Sequence, residues 1–353
     1  MLKKMNKNTK NNLITYGIVI AAFIIMQTLI STGSISSLME GLMVPLCIYI
    51  ILAVSLNLVV GILGELSLGH AGFMCVGAFT SAFFSKCMRD VITIAPLRFI
   101  LALLIGMAVA AVFGIIIGIP VLRLKGDYLA IVTLAFGEII KNLVNVLFIG
   151  KDSNGFHFST KDVMDLNMEA DGTVLVNGPQ GITGTPKDST FLIGVILILI
   201  TLFIVINMIN SRDGRAIMAI RDNRIAAESV GINVTKYKLM AFTVSAALAG
   251  AAGVLYAHNL STLTANTNNF GYNMSINILV FVVLGGIGSI RGSMIAAAIL
   301  TLLPELLRGL SDYRMLIYAI VLILMMLFNW SPKAIEWREK YLSFGKKKKE
   351  AVK

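Results

Sequence analysis

The sequence has few charged residues and few histidines for its length. Only 14% of its 353 residues are charged, against about 25% in an ordinary soluble domain, and 57% are hydrophobic. The three histidines (His70, His157, His258) lie far apart, without the spacing of metal ligands, which excludes a zinc protease of the H-E-x-x-H type. The three cysteines are scattered too, so no disulfide framework is indicated. This composition predicts a polytopic membrane protein.

Two motifs that carry enzyme chemistry are also missing. The segment GELSLG (64–69) has its serine one position too late for the nucleophile elbow G-x-S-x-G. A phosphate-binding loop G-x-x-x-x-G-K-[ST] is absent, because Asp152 follows Gly150 and Lys151, and position 145 is Asn. We therefore expect a chain that is not an enzyme, binds no cofactor itself and does not hydrolyse ATP.

The net charge of +11 is concentrated towards the chain ends. Lysines precede the first apolar run, and the tail after Trp330 carries eight basic and three acidic residues. Basic clusters beside membrane spans are typical of the cytoplasmic face, where anionic lipid is a sufficient partner. The run KKKK (346–349) has no interleaved aromatic residue, so no nucleic-acid partner is predicted. We expect cytoplasmic tails at 1–12 and 331–353.

Ten apolar stretches approach the length of about 20 residues that a membrane crossing needs. The first is interpreted as a retained span, because no small-residue cleavage site stands out after it. With the N-terminus inside, the loop 150–189 falls outside, while Arg123, Lys125, Arg291 and the basic tail fall inside. The prediction is an all-α, polytopic membrane helical bundle, a single transmembrane domain over 13–330 with both termini cytoplasmic. The expected crossings are 13–31, 42–62, 67–85, 97–119, 128–149, 190–209, 238–258, 275–290, 293–308 and 315–330.

Glycine-rich segments interrupt two of these regions. Gly61–Gly77 contains five glycines and three polar residues, and LGGIGSIRGS (284–293) contains four glycines. Broken or re-entrant helices occur at membrane depth only where they are buried in protein or line a cavity, so both segments are candidates for a translocation path. For His70, a gate residue and a satisfied buried histidine remain open alternatives. The candidate path residues here are Ser67, Gly69, His70, Gly285, Gly286 and Gly288.

Two ionisable residues, Glu138 and Lys141, lie inside the fifth expected crossing. An intramembrane carboxylate is costly and indicates a functional site. The alternative is a pair at i,i+3 that neutralises itself and holds neighbouring helices together. Both interpretations stay open, and both residues join the candidate path. By contrast, the spacing Gly114-x-x-x-Gly118 predicts close helix packing.

The segment from Asn210 to Lys238 is a charged island between two apolar runs. Ile217, Ile220, Arg224 and Ala227 recur with helical spacing, which predicts a short helix with one partly apolar face. A start is expected at Asp213 and Gly214, and a stop at Gly231 followed by Asn233. Such a helix on the cytoplasmic side predicts a docking surface. The outer loop, with NGPQGITGTP (177–186), is either a connector or a surface for an external partner.

Five segments together resemble the M-type permease subunit of bacterial branched-chain amino acid ABC importers. They occur in family order over roughly residues 40–330. They are GELSLGHAGFMCVGAFTSA (64–82), GDYLAIVTLAFGEIIKN (126–142), NGPQGITG (177–184), GRAIMAIRDNRIAAESVGINVTKYKLMAFTVSAALAGAAGVLYAH (214–258) and FVVLGGIGSIRGSMIAAAIL (281–300).

The resemblance implies that 210–236 is a cytoplasmic coupling loop, which docks on an ATP-binding subunit. The importer pattern E-A-A-x-x-x-G falls on 225–231, with Ile225 in place of the glutamate. The loop residues singled out are Gly214, Arg215, Arg221, Asp222, Ala226, Ala227 and Gly231.

The resemblance further implies inward transport of leucine, isoleucine and valine by alternating access in a bacterial cell (inner or plasma) membrane. The implied partners are a homologous second permease, two ABC ATPase subunits that hydrolyse ATP, and an extracellular or periplasmic substrate-binding protein. Alternatives are a permease of the same family for urea, amides or aromatic acids, and an ion-coupled secondary transporter.

Overall fold

The computed structural model is mainly helical. It describes residues 7–34, 36–89, 91–122, 128–169 and 172–307, with isolated positions at 313, 316, 317, 319, 320, 322–324 and 327. The chain divides into two compact units, Met1–Ala298 and Ile299–Lys353, and every interaction discussed below lies within the first. Several predictions fall wholly or largely outside the described residues: the tails 1–12 and 331–353, the crossing 315–330, and the loop residues Arg123 and Lys125.

Polar caps set the starts of several helices. The side-chain oxygens of Ser36, Thr190 and Ser211 each accept a hydrogen bond from the backbone N–H three residues on, which satisfies a donor that the helix leaves unpaired. Within the described residues the helices are α1 (Lys7–Ser31), α2 (Ser37–Asn57), α3 (His70–Cys87), α4 (Ala95–Val121), α5 (Tyr128–Val146), α6 (Phe191–Asn210), α7 (Arg212–Asp222), α8 (Arg224–Ser229), α9 (Val234–Ala257), α10 (Thr267–Phe270), α11 (Tyr272–Gly285) and α12 (Ile290–Leu306).

Six of these helical segments are long and apolar enough to cross a membrane. They are α1, α2 with the π-helical turn that follows it (Leu58–Leu63), α4, α5, α6 and α9. The expected crossings from 13–31 to 293–308 each coincide with a helix. However, α11 has only 14 residues and α12 has 17, which is short for a full crossing. The six long apolar helices confirm the polytopic helical architecture.

The centre of the bundle is built around α9, which packs against α2, α3 and α4. Phe73 of α3 makes an edge-to-face contact with Phe242 of α9, with ring centroids 5.5 Å apart. Gly114 and Gly118 lie against α9, which confirms the predicted close packing. Because lipid is as apolar as a protein core, such close packing holds membrane helices together better than the exclusion of water does.

The predicted outer loop contains β-structure that its turn-rich composition does not indicate. Ile149 pairs with Phe158 on one side and with Val176 on the other, in a three-stranded antiparallel sheet ordered β2-β1-β3. Aromatic and β-branched residues favour such strands. A second pair, β4 with β5, ties the loop to the chain after α9. The loop is thus a folded element. The strands are β1 (Phe148–Asp152), β2 (Gly155–Ser159), β3 (Thr173–Asn177), β4 (Ile182–Thr183) and β5 (Thr262–Leu263).

Helix α11 begins halfway along α5. The backbone N–H of Tyr272, its first residue, donates to Glu138 Oε1 at 2.8 Å. Glu138 is ten residues beyond the start of α5, or about 15 Å along the helix axis. The short helix α11 therefore starts near the middle of the bundle, and α10 together with the segment before it runs beside the C-terminal half of α5.

Candidate functional site

Two short helices, α7 and α8, form most of the predicted coupling loop. Asn223 interrupts the helix between them, and its side chain caps α8 by accepting a backbone hydrogen bond at 3.0 Å. Gly231 has φ of 85°, a left-handed conformation typical of the residue after a helix end. The predicted stop at Gly231 is confirmed. The assignment of Asn233 to that stop is wrong, because its side chain caps the start of α9.

One face of the coupling loop is buried against the bundle. Ile217, Ile220 and Ala227 are all buried, as their helical spacing predicts. Ile220 and Ala227 pack with Val234 at the start of α9. Arg224, which the spacing assigns to the same face, is only half-buried. The coupling loop is therefore fixed to the bundle along this face.

The opposite face of the loop presents apolar and small residues to the surroundings. Ile225 is 80% exposed and Val230 is 74% exposed. Ala226 and Gly231 are exposed beside them, and a Cβ added at Gly231 would meet no atom within 4 Å. Exposed apolar side chains outside a membrane are typical of a protein interface. Of the predicted docking residues, Ala226 and Gly231 lie on this face, whereas Ala227 does not.

Arg221 connects the coupling loop to the end of α2. Its Nη1 donates to the carbonyl oxygen of Gly61 at 3.0 Å, and its Nε and Nη2 donate to Asp222 Oδ1 at 3.1 and 2.9 Å. Gly64, with φ of 80°, closes the π-helical turn, and a Cβ there would lie 2.5 Å from Arg221 Cγ. A larger residue at Gly64 would therefore displace the arginine.

The same end of α2 contacts the turn between α11 and α12. Asn57 Oδ1 accepts the backbone N–H of Gly288 at 2.9 Å, and Asn57 Nδ2 donates to Ser293 Oγ at 2.9 Å. A Cβ at Gly61 would overlap both Asn57 and Gly288. We call Asn57, Gly61, Gly64, Arg221 and Gly288 the coupling joint, since they bring three separate segments together.

The remaining predicted loop residues, Gly214 and Arg215, lie near the start of the loop. Gly214 is buried where α6 turns into α7, and Arg215 donates to the carbonyl oxygen of Asn210 at 3.2 Å. Lys238, in the second turn of α9, forms an ion pair with Glu65, which follows the coupling joint in sequence. These contacts tie both ends of the loop to the bundle.

A second group lies at the middle of the bundle. Lys141 forms an ion pair with Glu138, and its Nζ also donates to Thr267 Oγ1 at 3.1 Å. The side chain of Lys141 is 10% exposed and that of Glu138 is 25% exposed. Glu138 also accepts the Tyr272 N–H at the start of α11, where the helix dipole favours a negative charge. We call Glu138, Lys141, Thr267 and Tyr272 the mid-membrane cluster.

Polar contacts also surround the start of α3. His70 Nε2 lies 2.7 Å from Ser55 Oγ, which favours the interpretation of a satisfied buried histidine. The N–H of Ala71 donates to Ser275 Oγ of α11 at 3.2 Å. Ser67 is buried, and its hydroxyl has no hydrogen-bond partner among the described residues. The start of α3 is therefore anchored to both α2 and α11.

The predicted path residues do not form one group in the structure. Glu138 and Lys141 are together in the mid-membrane cluster, while Gly69 packs against Thr133 of the same helix, α5. The other predicted glycines (Gly285, Gly286 and Gly288) belong to the turn that meets the end of α2. Their place in a translocation path stays a prediction.

In the predicted outer loop, Asp152 organises the turn between β1 and β2. Its carboxylate accepts backbone N–H groups of Asn154, Gly155 and Glu169 at 2.9, 3.1 and 3.3 Å, and it lies 2.9 Å from His157 Nε2. Burial alone would raise the pKa of Asp152, but the hydrogen bonds from Glu169 and Asn154 and the His157 ring together hold it below its usual value. The acid thus stays ionised at neutral pH.

Three residues at these sites were missed from the sequence: Asn57, Thr267 and Tyr272. Asn57 is a polar residue inside a long apolar run, and such residues are typical of a buried helix contact. The other two lie in NTNNFGYNMSIN (266–277), a polar stretch that runs into the expected crossing 275–290. This polar composition beside an apolar run could have indicated that Thr267 and Tyr272 make buried or functional contacts.

Comparison with known proteins identifies the family of this chain. The family described as "Branched-chain amino acid transport system / permease component" matches residues 38–328. This chain belongs to that family. Membership confirms the resemblance drawn from the five sequence segments and indicates a multi-pass membrane permease.

Two relatives from this family are similar over most of the chain. The high-affinity branched-chain amino acid transport system permease protein LivM of Salmonella typhimurium (strain LT2) is 36% identical over 298 residues, 82% of this chain and 67% of the relative. LivM of Escherichia coli (strain K12) is 37% identical over the same shares. The ribose import permease protein RbsC of Escherichia coli (strain K12) is more distant, at 28% identity over 79% of this chain and 81% of its own. No solved structure matches significantly.

Proposed function

We propose that this chain is the membrane-spanning permease subunit of an ATP-binding-cassette importer for leucine, isoleucine and valine. The observation that carries the proposal is the 36–37% identity to the two LivM proteins over 82% of the chain. This match favours branched-chain amino acids over urea, amides or aromatic acids. Membership of the family also favours transport driven by ATP over an ion-coupled secondary mechanism.

The proposed topology has ten crossings, with both termini in the cytoplasm of a bacterial cell. Two contacts support it. Gly64 lies beside Arg221, so the end of α2 and the coupling loop belong on one side of the membrane. Gly69, five residues after Gly64, packs against Thr133 near the start of α5, so the other end of α5, and the sheet that begins two residues after it, belong on the opposite side.

The proposed partner of the coupling loop is one of two ABC ATPase subunits, which bind and hydrolyse the ATP; this chain binds no cofactor. The exposed Ile225 and Val230 provide an apolar contact, and Ala226 and Gly231 let a partner approach closely. Ile225 occupies the position where the importer pattern has a glutamate, so we expect an apolar contact there in place of a charged one.

The proposed mechanism is alternating access, with the coupling joint as the mechanical link. Closure of the ATPases would displace α7 and, through Arg221, the carbonyl of Gly61 at the end of α2. Because Asn57 holds Gly288 at the same end of α2, the turn between α11 and α12 would move with it. The displacement would then reach α11, whose other end contacts Glu138.

On the outer side, the proposed partner is a substrate-binding protein that docks on the folded outer loop. The strand β2 lies at the sheet edge and exposes Phe158, and Met164 is exposed nearby in the chain. A homologous second permease would complete the membrane part of the importer. Selectivity would then reside mainly in the binding protein, because the mid-membrane cluster offers only one, already neutralised, ion pair.

Co-purification from the native membrane tests this assignment. We expect the chain to bring with it two P-loop ATPases and a second permease. We also expect labelled leucine uptake to be reduced by excess isoleucine or valine and unaffected by urea. Isolation of the chain without any ATPase would contradict the importer assignment, and competition by urea alone would contradict the substrate assignment.

A further inference from the structure

The asparagine-rich segment 266–277 lies against the central part of α5. Asn145 Nδ2 donates to the carbonyl oxygen of Ala265 at 3.0 Å, in the last turn of α5. One turn earlier, Lys141 Nζ donates to Thr267 Oγ1. One turn before that, Glu138 Oε1 accepts the N–H of Tyr272. Successive turns of α5 thus meet successive parts of this segment. The segment is held beside the membrane-spanning helix, at the depth of its polar cluster.

This placement leaves several polar side chains exposed at membrane depth. Asn142 of α5, Asn268 of α10, and Tyr272 and Asn277 of α11 are all exposed. The carbonyl oxygen of the Asn268 side chain accepts a hydrogen bond from Asn273 Nδ2 at 3.2 Å. In hydrocarbon, a primary amide group without a hydrogen-bond partner costs several kcal/mol, so the exposed Asn142 and Asn277 do not suit a lipid-facing surface. The exposed surface of α5 next to them is different, because Ile139 and Leu143 are apolar.

The charge of this polar surface is balanced. Among the residues of α5, α10 and α11, Glu138 and Lys141 are the ionisable pair, and each neutralises the other. Around them are amides, which both donate and accept hydrogen bonds. Such a surface can replace part of the hydration of an ammonium and a carboxylate group without holding either firmly. It therefore suits the passage of a zwitterion.

We propose that Asn142, Asn268, Tyr272 and Asn277 form the wall of a water-filled translocation pathway, along which the transported amino acid passes Glu138. The partly exposed Glu138 carboxylate is the group that meets the substrate ammonium. This inference rests on the proposed function and adds to it the surface that the substrate contacts. The competing occupant of the same surface is the second permease, which would cover it with protein.

Single cysteines distinguish water from lipid and from protein on this surface. The variants Asn142→Cys and Asn277→Cys have matched controls in the neighbouring apolar positions, Leu143→Cys and Ile276→Cys, which are also exposed. The natural cysteines are all buried, so background labelling of the parent chain is expected to be low. The probe is a charged methanethiosulfonate that does not cross membranes, applied to the complete importer in proteoliposomes.

We expect both asparagine-site cysteines to react at least about tenfold faster than their controls, because the reactive thiolate forms in water and is suppressed in apolar surroundings. We also expect the rates to change when the ATPases are held with a non-hydrolysable ATP analogue. Equal, slow labelling of all four variants would overturn the proposal, as would disulfide crosslinking of Asn277→Cys to the second permease. If labelling fails while ATP-driven leucine uptake is normal, only this inference fails. If that uptake itself is absent from the parent importer, the proposed function fails.

Discussion

Arg221 of the coupling joint pairs with the neighbouring Asp222, and Lys141 of the mid-membrane cluster pairs with Glu138, but the surroundings give the two ion pairs different roles. In the joint, the side chain of Arg221 is 37% exposed and that of Asp222 is 67% exposed. Ion pairs with this exposure contribute about 0–1 kcal/mol. In the cluster, Glu138 and Lys141 lie inside a membrane helix. There, the loss of one partner leaves the other without its counter-charge.

The difference shows which contact is important in each region. Arg221 owes its role to the bond with Gly61, which joins segments 160 positions apart in sequence, and the neighbouring Asp222 only supports it. Lys141 is important because its positive charge allows the Glu138 carboxylate to exist at that depth. The first region is suited to transmit movement and the second to hold a polar surface in place.

The largest effect is expected from breaking the mid-membrane pair. Lys141→Met leaves Glu138 without its counter-charge, and we expect a loss of about 3 kcal/mol in unfolding free energy, at the low end for buried pairs because Glu138 is partly exposed. Thermal unfolding in detergent measures it. The double variant Glu138→Gln/Lys141→Met should recover most of this stability but still transport slowly. Normal transport by the double variant would indicate a purely structural pair.

A smaller effect is expected from filling the coupling joint. A Cβ at Gly61 would overlap Asn57 and Gly288, so Gly61→Ala should cost about 1–3 kcal/mol and slow uptake. Gly41→Ala is the matched control in the same helix, since a Cβ there meets no atom within 4 Å. Thermal unfolding and uptake should both separate the two variants. Equal behaviour of the two would show that the close approach at Gly61 is unimportant.

Removing the arginine tests transmission more selectively. Arg221→Ala should cost only about 1 kcal/mol of stability, because its bond to Gly61 is partly exposed. The number of leucine molecules moved per ATP hydrolysed should nevertheless fall several-fold. Asp222→Ala, which keeps the bond to Gly61, is the control and should change this ratio little. Matching ratios in the two variants would remove Arg221 from the coupling pathway.

The smallest effect is expected on the outer sheet, far from both regions. The pKa of Asp152 is lowered in the folded chain, so its stabilising contribution is complete above the unfolded value of about 3.9 and is lost as pH falls through the folded value. Asp152→Asn should therefore speed amide exchange in β1 and β2 at pH 7. The difference from the parent should shrink below about pH 3.9. A difference that is independent of pH would contradict this assignment.

Much of the helical architecture could be predicted from the sequence, because long apolar runs and helical periodicity are local signals. The buried positions of Ile217 and Ile220 and the helix end at Gly231 follow from such signals. The joint between Arg221 and Gly61 does not, since no local pattern reports a contact between distant segments. The sequence indicates Arg221 only as a residue of the docking loop, whereas in the structure its side chain also bonds to its own chain.

The outer sheet and the polar surface beside α5 were also beyond the prediction. The turn-rich composition of the outer loop obscured strands of only two to five residues. The sequence does not indicate that the asparagines of 266–277 lie beside α5, because that position depends on where α11 starts. That start is fixed by Glu138, a residue more than a hundred positions earlier. Tertiary contacts, which the sequence does not display, therefore decided both features.

One measurement tests the central claim most directly: leucine uptake and ATP hydrolysis, recorded together in proteoliposomes that contain the chain, its second permease, its ATPases and its binding protein. The account predicts uptake that requires ATP and the ATPase subunits and that persists when ionophores collapse all ion gradients. Uptake that continues without the ATPases and stops with the ion gradient would contradict it.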